Sequence, residues 1–287
     1  METVAIVGVG LLGGSLAKAF RKHGLAKTIL GVSSGPRTYP KEFTAQASFE
    51  SAVGRADLVV LCSPVLNIIQ DLKRIDRYLK PGALVTDVGS TKRAIVAAAR
   101  QHVKRGVFLG GHPMAGKQVT GLEHAVDDLY KGRTWFIVRT EGPDPPCVAK
   151  FLSWLKVLEA RPVELSAEEH DRTVAATSHV PQMISTLLGA ALSGLIPPDQ
   201  AAAKSGQGLR DMLRLSESGW SMWGDILATN SDNIEAGLKI FAAELKQFIE
   251  SRHYWTQDGA AAGIPGGSFT RANAFMREFL KEQESGR

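Results

Sequence analysis

The hydrophobic rhythm of the chain changes once along its length. Up to about residue 165, short β-branched apolar runs alternate with segments whose apolar residues recur every three or four positions. This is the pattern of an open parallel sheet flanked by helices. Strands are predicted at Val4–Val7, Thr28–Val32, Leu58–Cys62, Ala83–Val88, Val107–Leu109, Trp135–Val138 and Pro162–Leu165. Leu12, Leu16 and Phe20 share one helical face, with Gly24 placed to end that helix. Helical patterns also run through Ile68–Leu79, Arg93–Lys104 and Val148–Leu158. After Ser166 the strand patterns stop. Ala- and Leu-rich helical segments follow around Glu168–Leu195, Ala201–Leu215 and Trp223–Arg252. A Gly/Ala connector, Gly259–Gly267, then leads to Ser268, placed to cap a last amphipathic helix with Phe275, Phe279 and Leu280. The expectation is an α/β domain over residues 1–165 followed by an all-helical domain over 166–287.

Composition supports two packed domains: 287 residues, 44% apolar and 22% charged, exclude a disordered chain. The net charge of +5 hides an asymmetry. Residues 1–165 hold 23 basic and 14 acidic side chains (+9), and 166–287 hold 11 and 15 (−4). The first part therefore favours an anion. The basic residues are scattered, with no stripe that would suit a nucleic acid or an anionic membrane. Two cysteines, Cys62 and Cys147, exclude a disulfide scaffold and a cysteine-based zinc site, and no metal is expected. The N-terminus enters an apolar strand with no basic leader, so a cytoplasmic location is expected. From Thr173 to Pro198 there is no Asp, Glu, Lys or Arg. His179, Pro181 and Gln182 interrupt that stretch, which reads as a helix buried in the domain or between subunits rather than a membrane span.

Gly8-Val9-Gly10-Leu11-Leu12-Gly13 lies between a strand and an amphipathic helix, the setting in which G-x-G-x-x-G binds a dinucleotide. Gly8 permits the tight turn, Gly10 lets backbone approach a pyrophosphate, and Gly13 lets the helix pack close to its strand. A Rossmann-type dinucleotide-binding domain is expected. The second strand ends in Val32-Ser33-Ser34-Gly35-Pro36-Arg37, without the acidic residue that bonds a ribose 2′-hydroxyl. Ser33 and Ser34 could bond a 2′-phosphate and Arg37 could neutralise it, which favours NADP over NAD. Alternatively, Arg37 is a solvated loop residue.

Three further segments carry candidate chemistry. Thr86-Asp87-Val88-Gly89-Ser90-Thr91-Lys92 and Gly110-Gly111-His112-Pro113-Met114-Ala115-Gly116 each follow a strand, where open α/β sheets place ligands. Glycines and a proline surround His112 with little bulk to bury it. It reads as an acid/base group of ordinary pKa or as a structural loop residue. In Gly208-Leu209-Arg210-Asp211-Met212-Leu213-Arg214 two arginines four apart share a helix face, and Asp211 is placed to pair with one. This segment suits either a carboxylate ligand or a surface ion-pair network.

Together, GVGLLGGSLA, LCSP, DVGSTK, GGHPMAG, SHVPQ (Ser178–Gln182) and GLRDMLR resemble the prephenate/arogenate dehydrogenase family of tyrosine biosynthesis, in the family's order over nearly the whole chain. The resemblance implies an enzyme that oxidises a cyclohexadienol dicarboxylate while its ring carboxylate leaves as CO2, with hydride passing to NADP or NAD. It implies a helical domain that makes a homodimer, with no nucleic-acid or membrane partner. His112 matches the family's catalytic histidine, Ser90 the serine supporting it, and Arg214 the arginine that holds a substrate carboxylate. Cofactor contacts are implied for Gly8, Gly10, Leu11, Leu12 and Gly13 and for Ser63 and Pro64 of LCSP. His179 serves either substrate or helix start. Gln182 stands where many prephenate-using members have a second histidine, close to the substrate side chain. Trp223 matches an aromatic near the site, and Trp220 reads as core. Two other readings share parts of this pattern. A β-hydroxyacid dehydrogenase would use a lysine base that is not found here. An inert NAD(P)-binding regulator would have lost Ser90, His112 and Arg214.

Overall fold

The computed structural model describes every residue except Ser34, Pro36, Arg37, Gln118, 141–144, 255–263 and 286–287. The first β-strand, β1 (Thr3–Val7), is buried from Val4 onward and alternates between two cores. Val4 and Ile6 enter one core, and Ala5 and Val7 the other. Helix α1 (Leu11–Lys22) buries Leu16, Ala17, Ala19 and Phe20 and ends before Gly24, whose φ of +62° suits glycine. Then come β2 (Thr28–Val32), β3 (Ala45–Gln46), α2 (Phe49–Arg55), β4 (Leu58–Leu61), α3 (Val65–Ile75), β5 (Leu84–Asp87), α4 (Arg93–His102) and β6 (Val107–Pro113). The α/β part closes with β7 (Thr134–Arg139), α5 (Pro146–Val157) and β8 (Arg161–Glu164).

The eight strands form one sheet in the order β3-β2-β1-β4-β5-β6-β7-β8, parallel except where β6 meets β7. Strand order reverses between β1 and β4, the crevice where such sheets bind dinucleotides. Because β1, β4, β5 and β6 run parallel, their C-terminal ends share one edge. Two elements lie where the sequence shows no pattern. β3 has two residues, and α2 has seven, capped by Ser48, whose hydroxyl accepts the Ser51 N–H at 3.3 Å.

Helices follow: α6 (Ala167–Val174), a π turn (Ala175–His179), α7 (Val180–Ser193), α8 (Pro198–Lys204), α9 (Gln207–Leu213), a 3-10 turn (Arg214–Glu217), α10 (Trp220–Glu250) and α11 (Ile264–Ser285). The segment expected as one helix over Glu168–Leu195 is thus interrupted by the π turn, and that over Ala201–Leu215 is broken at Ser205-Gly206. α10 leaves helical geometry at Asn230 (φ −142°, ψ 26°). Ser268 does not cap α11, which starts at Ile264. Pro265 fits its first turn, where the missing N–H costs nothing, and the Ser268 hydroxyl instead accepts from Arg271 at 3.3 Å. Residues 259–263 of the expected connector lie outside the described residues. Among the described residues no single helix is long and apolar enough to cross a membrane. The charge-free stretch belongs to helices broken by the π turn and a 110° bend.

The chain packs as two compact units, Met1–Asn233 and Ile234–Arg287. The first unit extends beyond the sheet because buried Asp171 of α6 accepts the backbone N–H groups of Lys92 (2.6 Å) and Arg93 (3.0 Å) at the start of α4. In the second unit Arg271 pairs with Glu244 at 2.8 Å, and Phe275 stacks on Phe279.

Asp57 ties the N-terminal ends of β1 and β4 together, accepting the N–H groups of Glu2 (2.7 Å) and Thr3 (3.1 Å) and the Lys80 ammonium (2.8 Å). Burial opposes its ionisation, but Lys80 and the two N–H groups prevail and bring its pKa down to about 2. A carboxylate depressed on folding stabilises above its unfolded value and loses that contribution as pH falls through the folded one. Asp57→Ala is therefore expected to cost about 1 kcal/mol at neutral pH after solvent screening. In urea melts the gap to the parent protein should close between about pH 4 and pH 2.

Candidate active site

The glycine-rich turn sits at the C-terminal end of β1. Gly8 adopts φ +97°, and a Cβ there would stand 2.6 Å from the Cys62 carbonyl carbon, so only glycine fits. A Cβ at Gly10 would meet open space inside a cavity of about 870 Å³, leaving the backbone exposed to a ligand. Gly13 packs directly on Gly8 and Ile6. Ser33, Ser63 and Pro64 line the same cavity. Among the described residues the Ser63 hydroxyl is buried without a partner, and α1 opens at Gly10 with no side-chain cap. An orphaned hydroxyl, an uncapped helix start and a glycine cradle fit a pyrophosphate. Leu11 and Leu12 are half-buried on the core, with the Leu12 carbonyl accepting Tyr130 Oη–H at 2.7 Å. The Ser33 hydroxyl donates to the Gly35 carbonyl (2.8 Å) and accepts from Tyr39 (3.0 Å). Ser34 and Arg37 lie outside the described residues.

His112 is placed differently from expectation. It lies inside β6, opposite Phe136 of β7, not in a loop after the strand. The neighbouring glycines serve close strand packing: a Cβ at Gly111 would come within 2.5 Å of the Asp87 carbonyl oxygen. His112 is buried, with the Phe136 ring centred 6.1 Å away and the His170 ring 5.1 Å away. Its pKa is consequently not ordinary. Burial, then the nearby His170, Lys92 and His179, hold it well below 6.5, so the imidazole is neutral near pH 7.

A polar chain runs inward from it. His112 Nδ1 lies 2.8 Å from His170 Nε2, and His170 Nδ1 lies 2.8 Å from Asp171 Oδ1. His170 and Asp171 are fully buried. No sequence signal marked either residue, because the pairing with His112 spans 58 positions. Beside them Lys92 and Asp87 form a fully buried ion pair. Asp87 also accepts the N–H groups of Gly89 (2.8 Å) and Gly111 (3.1 Å), fixing the ends of β5 and β6. Arg93 bonds Asp171, Asp232 and Asn230, and Asn230 donates to the Asp171 carbonyl at 2.8 Å. Ser90 follows β5, half-buried, and among the described residues makes no hydrogen bond.

These observations coincide with direct similarity to known proteins. Residues 16–164 match "Prephenate dehydrogenase, nucleotide-binding domain" and residues 166–257 match "Prephenate dehydrogenase, dimerization domain". The chain belongs to the prephenate dehydrogenase family. A prephenate dehydrogenase of Bacillus subtilis is 31% identical over 270 residues, covering 90% of this chain and 71% of that protein. The prephenate dehydrogenase of Aquifex aeolicus, solved with hydroxyphenyl propionate and NAD+, superposes with a TM-score of 0.79 at 28% identity, covering 100% of this chain and 97% of that one. The arogenate dehydrogenase of Synechocystis gives a TM-score of 0.76 at 26% identity, covering 99% and 100%. The chain is thus an NAD(P)-dependent dehydrogenase of the prephenate dehydrogenase family, with an α/β nucleotide-binding part followed by helices.

Within this prephenate dehydrogenase framework the remaining residues fall into two groups. His179 is buried in the π turn, 3.3 Å from Asn230 and edge-on to the Trp223 ring at 5.7 Å. Burial takes its pKa down to about 4. Trp223 is buried, its Nε1–H without a partner among the described residues, whereas Trp220 is 74% exposed and is not core. The Gln182 amide is committed at both ends, donating to the Leu215 carbonyl (2.6 Å) and accepting from Ser218 (3.3 Å). Ser185 binds the Met212 carbonyl at 2.6 Å. Together they pin the 3-10 turn that begins with Arg214. Arg214 and Arg210 line a second cavity of about 670 Å³, but Arg214 opens the 3-10 turn and does not continue the α9 face. Asp211 binds Gln207 at 2.8 Å and forms no ion pair with either arginine among the described residues.

Proposed function

We propose that this chain oxidises prephenate, arogenate or both, with loss of the ring carboxylate as CO2 and with NADP preferred over NAD. The observation that carries the reading is the neutral, buried His112 on the sheet edge that also bears the dinucleotide turn. A neutral imidazole can take the proton of the ring hydroxyl, and the electrons of that O–H bond form the carbonyl as hydride leaves the carbinol carbon. The Gly8–Gly13 turn and Ser63 would hold the pyrophosphate of NAD(P), whose nicotinamide would supply the acceptor for that hydride. Loss of CO2 from the resulting dienone returns the carboxylate's bonding pair to the ring, which becomes aromatic. Ser90, just after β5 and without a hydrogen-bond partner among the described residues, is available to the same hydroxyl.

The NADP preference rests on two observations. No carboxylate ends β2, and Lys73 and Arg74 line the cavity beside Ser33. The two carboxylates lining it, Glu50 and Asp71, both face Arg74, at 3.8 and 2.8 Å. Steady-state rates with prephenate and arogenate, each with NAD and NADP, test the proposal. Turnover of at least one substrate and a higher kcat/KM with NADP are expected. No turnover of either substrate defeats the reading, and equal kcat/KM values for the two cofactors defeat the preference.

Arg214 is proposed to hold a substrate carboxylate. It is exposed, has no ion-pair partner among the described residues, and stands on a turn fixed by Gln182 and Ser185. Arg214→Ala is expected to raise the substrate KM about 10- to 100-fold, as a charged hydrogen-bonded pair of about 1.5–3 kcal/mol requires, with the cofactor KM unchanged. An unchanged substrate KM removes Arg214 from the site. A homodimer is proposed as the working unit, since the second unit leaves Ile240, Phe241, Phe275 and Phe279 exposed. Sedimentation equilibrium should return twice the chain mass.

A further inference from the structure

The polar chain behind His112 decides which of its nitrogens can act. Asp171 is a carboxylate: burial opposes its charge, but the His170 ring and the N–H groups of Arg93 and Lys92 outweigh that and keep its pKa below the ordinary value. An ionised carboxylate only accepts, so His170 Nδ1 must carry the hydrogen in the 2.8 Å bond to Asp171 Oδ1. In a neutral imidazole the other nitrogen is then an acceptor. His170 Nε2 therefore accepts, and His112 Nδ1 must donate across the 2.8 Å contact. With its proton on Nδ1, the free lone pair of His112 is on Nε2.

We propose that His170 and Asp171 are positioning residues that hold His112 in its Nδ1–H tautomer and so make Nε2 the proton acceptor of the reaction. The inference rests on His112 being the base and adds how that base is set. It is the logic by which a carboxylate orients the histidine of a hydrolase triad, extended through a second ring. When Nε2 takes the substrate proton, the Nδ1–H of the imidazolium remains bonded to His170, whose far side faces the Asp171 carboxylate. The donor sequence fails if His170 is protonated, because both its nitrogens would then donate and His112 Nδ1 would have to accept.

The surroundings keep His170 neutral. Burial opposes its charging, and the pull of Asp171 does not overcome it. The charged and titratable groups around the pair come from five elements. Lys92 and Arg93 stand at the start of α4, Asp87 ends β5, Asp171 belongs to α6, His179 to the π turn, and Asp232 with the polar Asn230 to α10. Both cations are paired, Lys92 with Asp87 and Arg93 with Asp171 and Asp232. Phe136 closes the remaining side, its ring 5.3 Å from that of His170. The rings are held in place, and neither can exchange its nitrogens without breaking a buried bond.

The test uses the full-length protein and two substitutions. Glutamine at 170 can reproduce both bonds, its amide nitrogen donating to Asp171 and its oxygen accepting from His112, whereas leucine can make neither. Long-range 1H–15N spectra of the substrate-free parent are expected to show His112 protonated on Nδ1 and bare on Nε2. His170→Leu is expected to lose that signature and to lower kcat about 10- to 100-fold, with the cofactor KM unchanged. His170→Gln should retain the signature and kcat within about threefold. The proposal is overturned if the parent carries the His112 proton on Nε2, if His170→Gln loses the tautomer while folded, or if a folded His170→Leu keeps the parent kcat. Should His170→Leu fail to fold, the parent spectrum and His170→Gln still decide. Because the tautomer is read without substrate, a wrong assignment of His112 as base would show separately, as retained turnover in His112→Asn.

Discussion

Replacing His112 with asparagine is expected to lower kcat by about two to four orders of magnitude and to leave cofactor binding intact. That range is what a positioned general base contributes. The side chain is buried between Phe136 and His170 and lines no part of the glycine-turn cavity, so its loss should not disturb the dinucleotide site. The pH dependence carries the same argument. A base acts when unprotonated, so activity is present above its pKa and is lost as pH falls through it. Burial sets that pKa well below 6.5. The parent kcat/KM should therefore stay level from neutrality to below pH 6.5 and fall only further down, where an exposed histidine would already be half protonated at 6.5. In His112→Asn this acid limb should disappear with the activity. Near-parental turnover in the variant, or an acid limb centred at 6.5 in the parent, would contradict a buried imidazole base.

The parts of this molecule that could be read from its sequence are those whose physics is local. Strands such as Val4–Val7 and Leu58–Leu61 are buried on both faces and so appear as unbroken apolar runs. The glycine turn shows because its constraint, a positive φ beside Cys62, admits one residue type. Short elements escape: β3 and α2 contain too few residues for any period to register. The helical part starts at a capping box on α6, in which Ser166 and Glu169 bond reciprocally, at the point where the strand patterns stop. The interruptions of the helices are not so plain, since their polar contacts are distant in sequence: Asn230 bonds the Asp171 carbonyl and lies 3.3 Å from His179 of the π turn.

The candidate site divides in the same way. The segment holding His112 is visible in the sequence but its surroundings are not, because Gly110 and Gly111 look like loop residues and in fact let β6 lie close to β5 and β7. The imidazole's burial comes from Phe136 and His170, neither of them its neighbour in sequence. The resemblance in SHVPQ places Gln182 near the substrate side chain, and the structure shows that its amide also spans from α7 to the turn carrying Arg214. A side chain's chemical type can be read from sequence, but which partners use up its bonds is decided by tertiary contacts.

DVGSTK illustrates this most sharply, and it yields the other large effect. The motif lies where the sheet places ligands, yet its first and last residues form a structural pair: Asp87 and Lys92 are both completely buried and bonded to each other. Burial pulls the Lys92 ammonium below its ordinary pKa, and Asp87 opposes this. Lys92→Met keeps the bulk of the side chain and removes the charge, leaving a carboxylate with no cation in the core. Such one-sided breaks cost about 3–5 kcal/mol, because the remaining charge stays desolvated. Asp87 keeps its bonds to the Gly89 and Gly111 N–H groups, so the sheet edge should hold locally while global stability falls. Combining Lys92→Met with Asp87→Asn removes the stranded charge and retains an amide oxygen for one of the two N–H groups. The double variant is therefore expected to be more stable than the single one by about 1–3 kcal/mol in denaturant melts. If the two losses simply add, the pair does not act as a unit, and Lys92 must be held by packing alone.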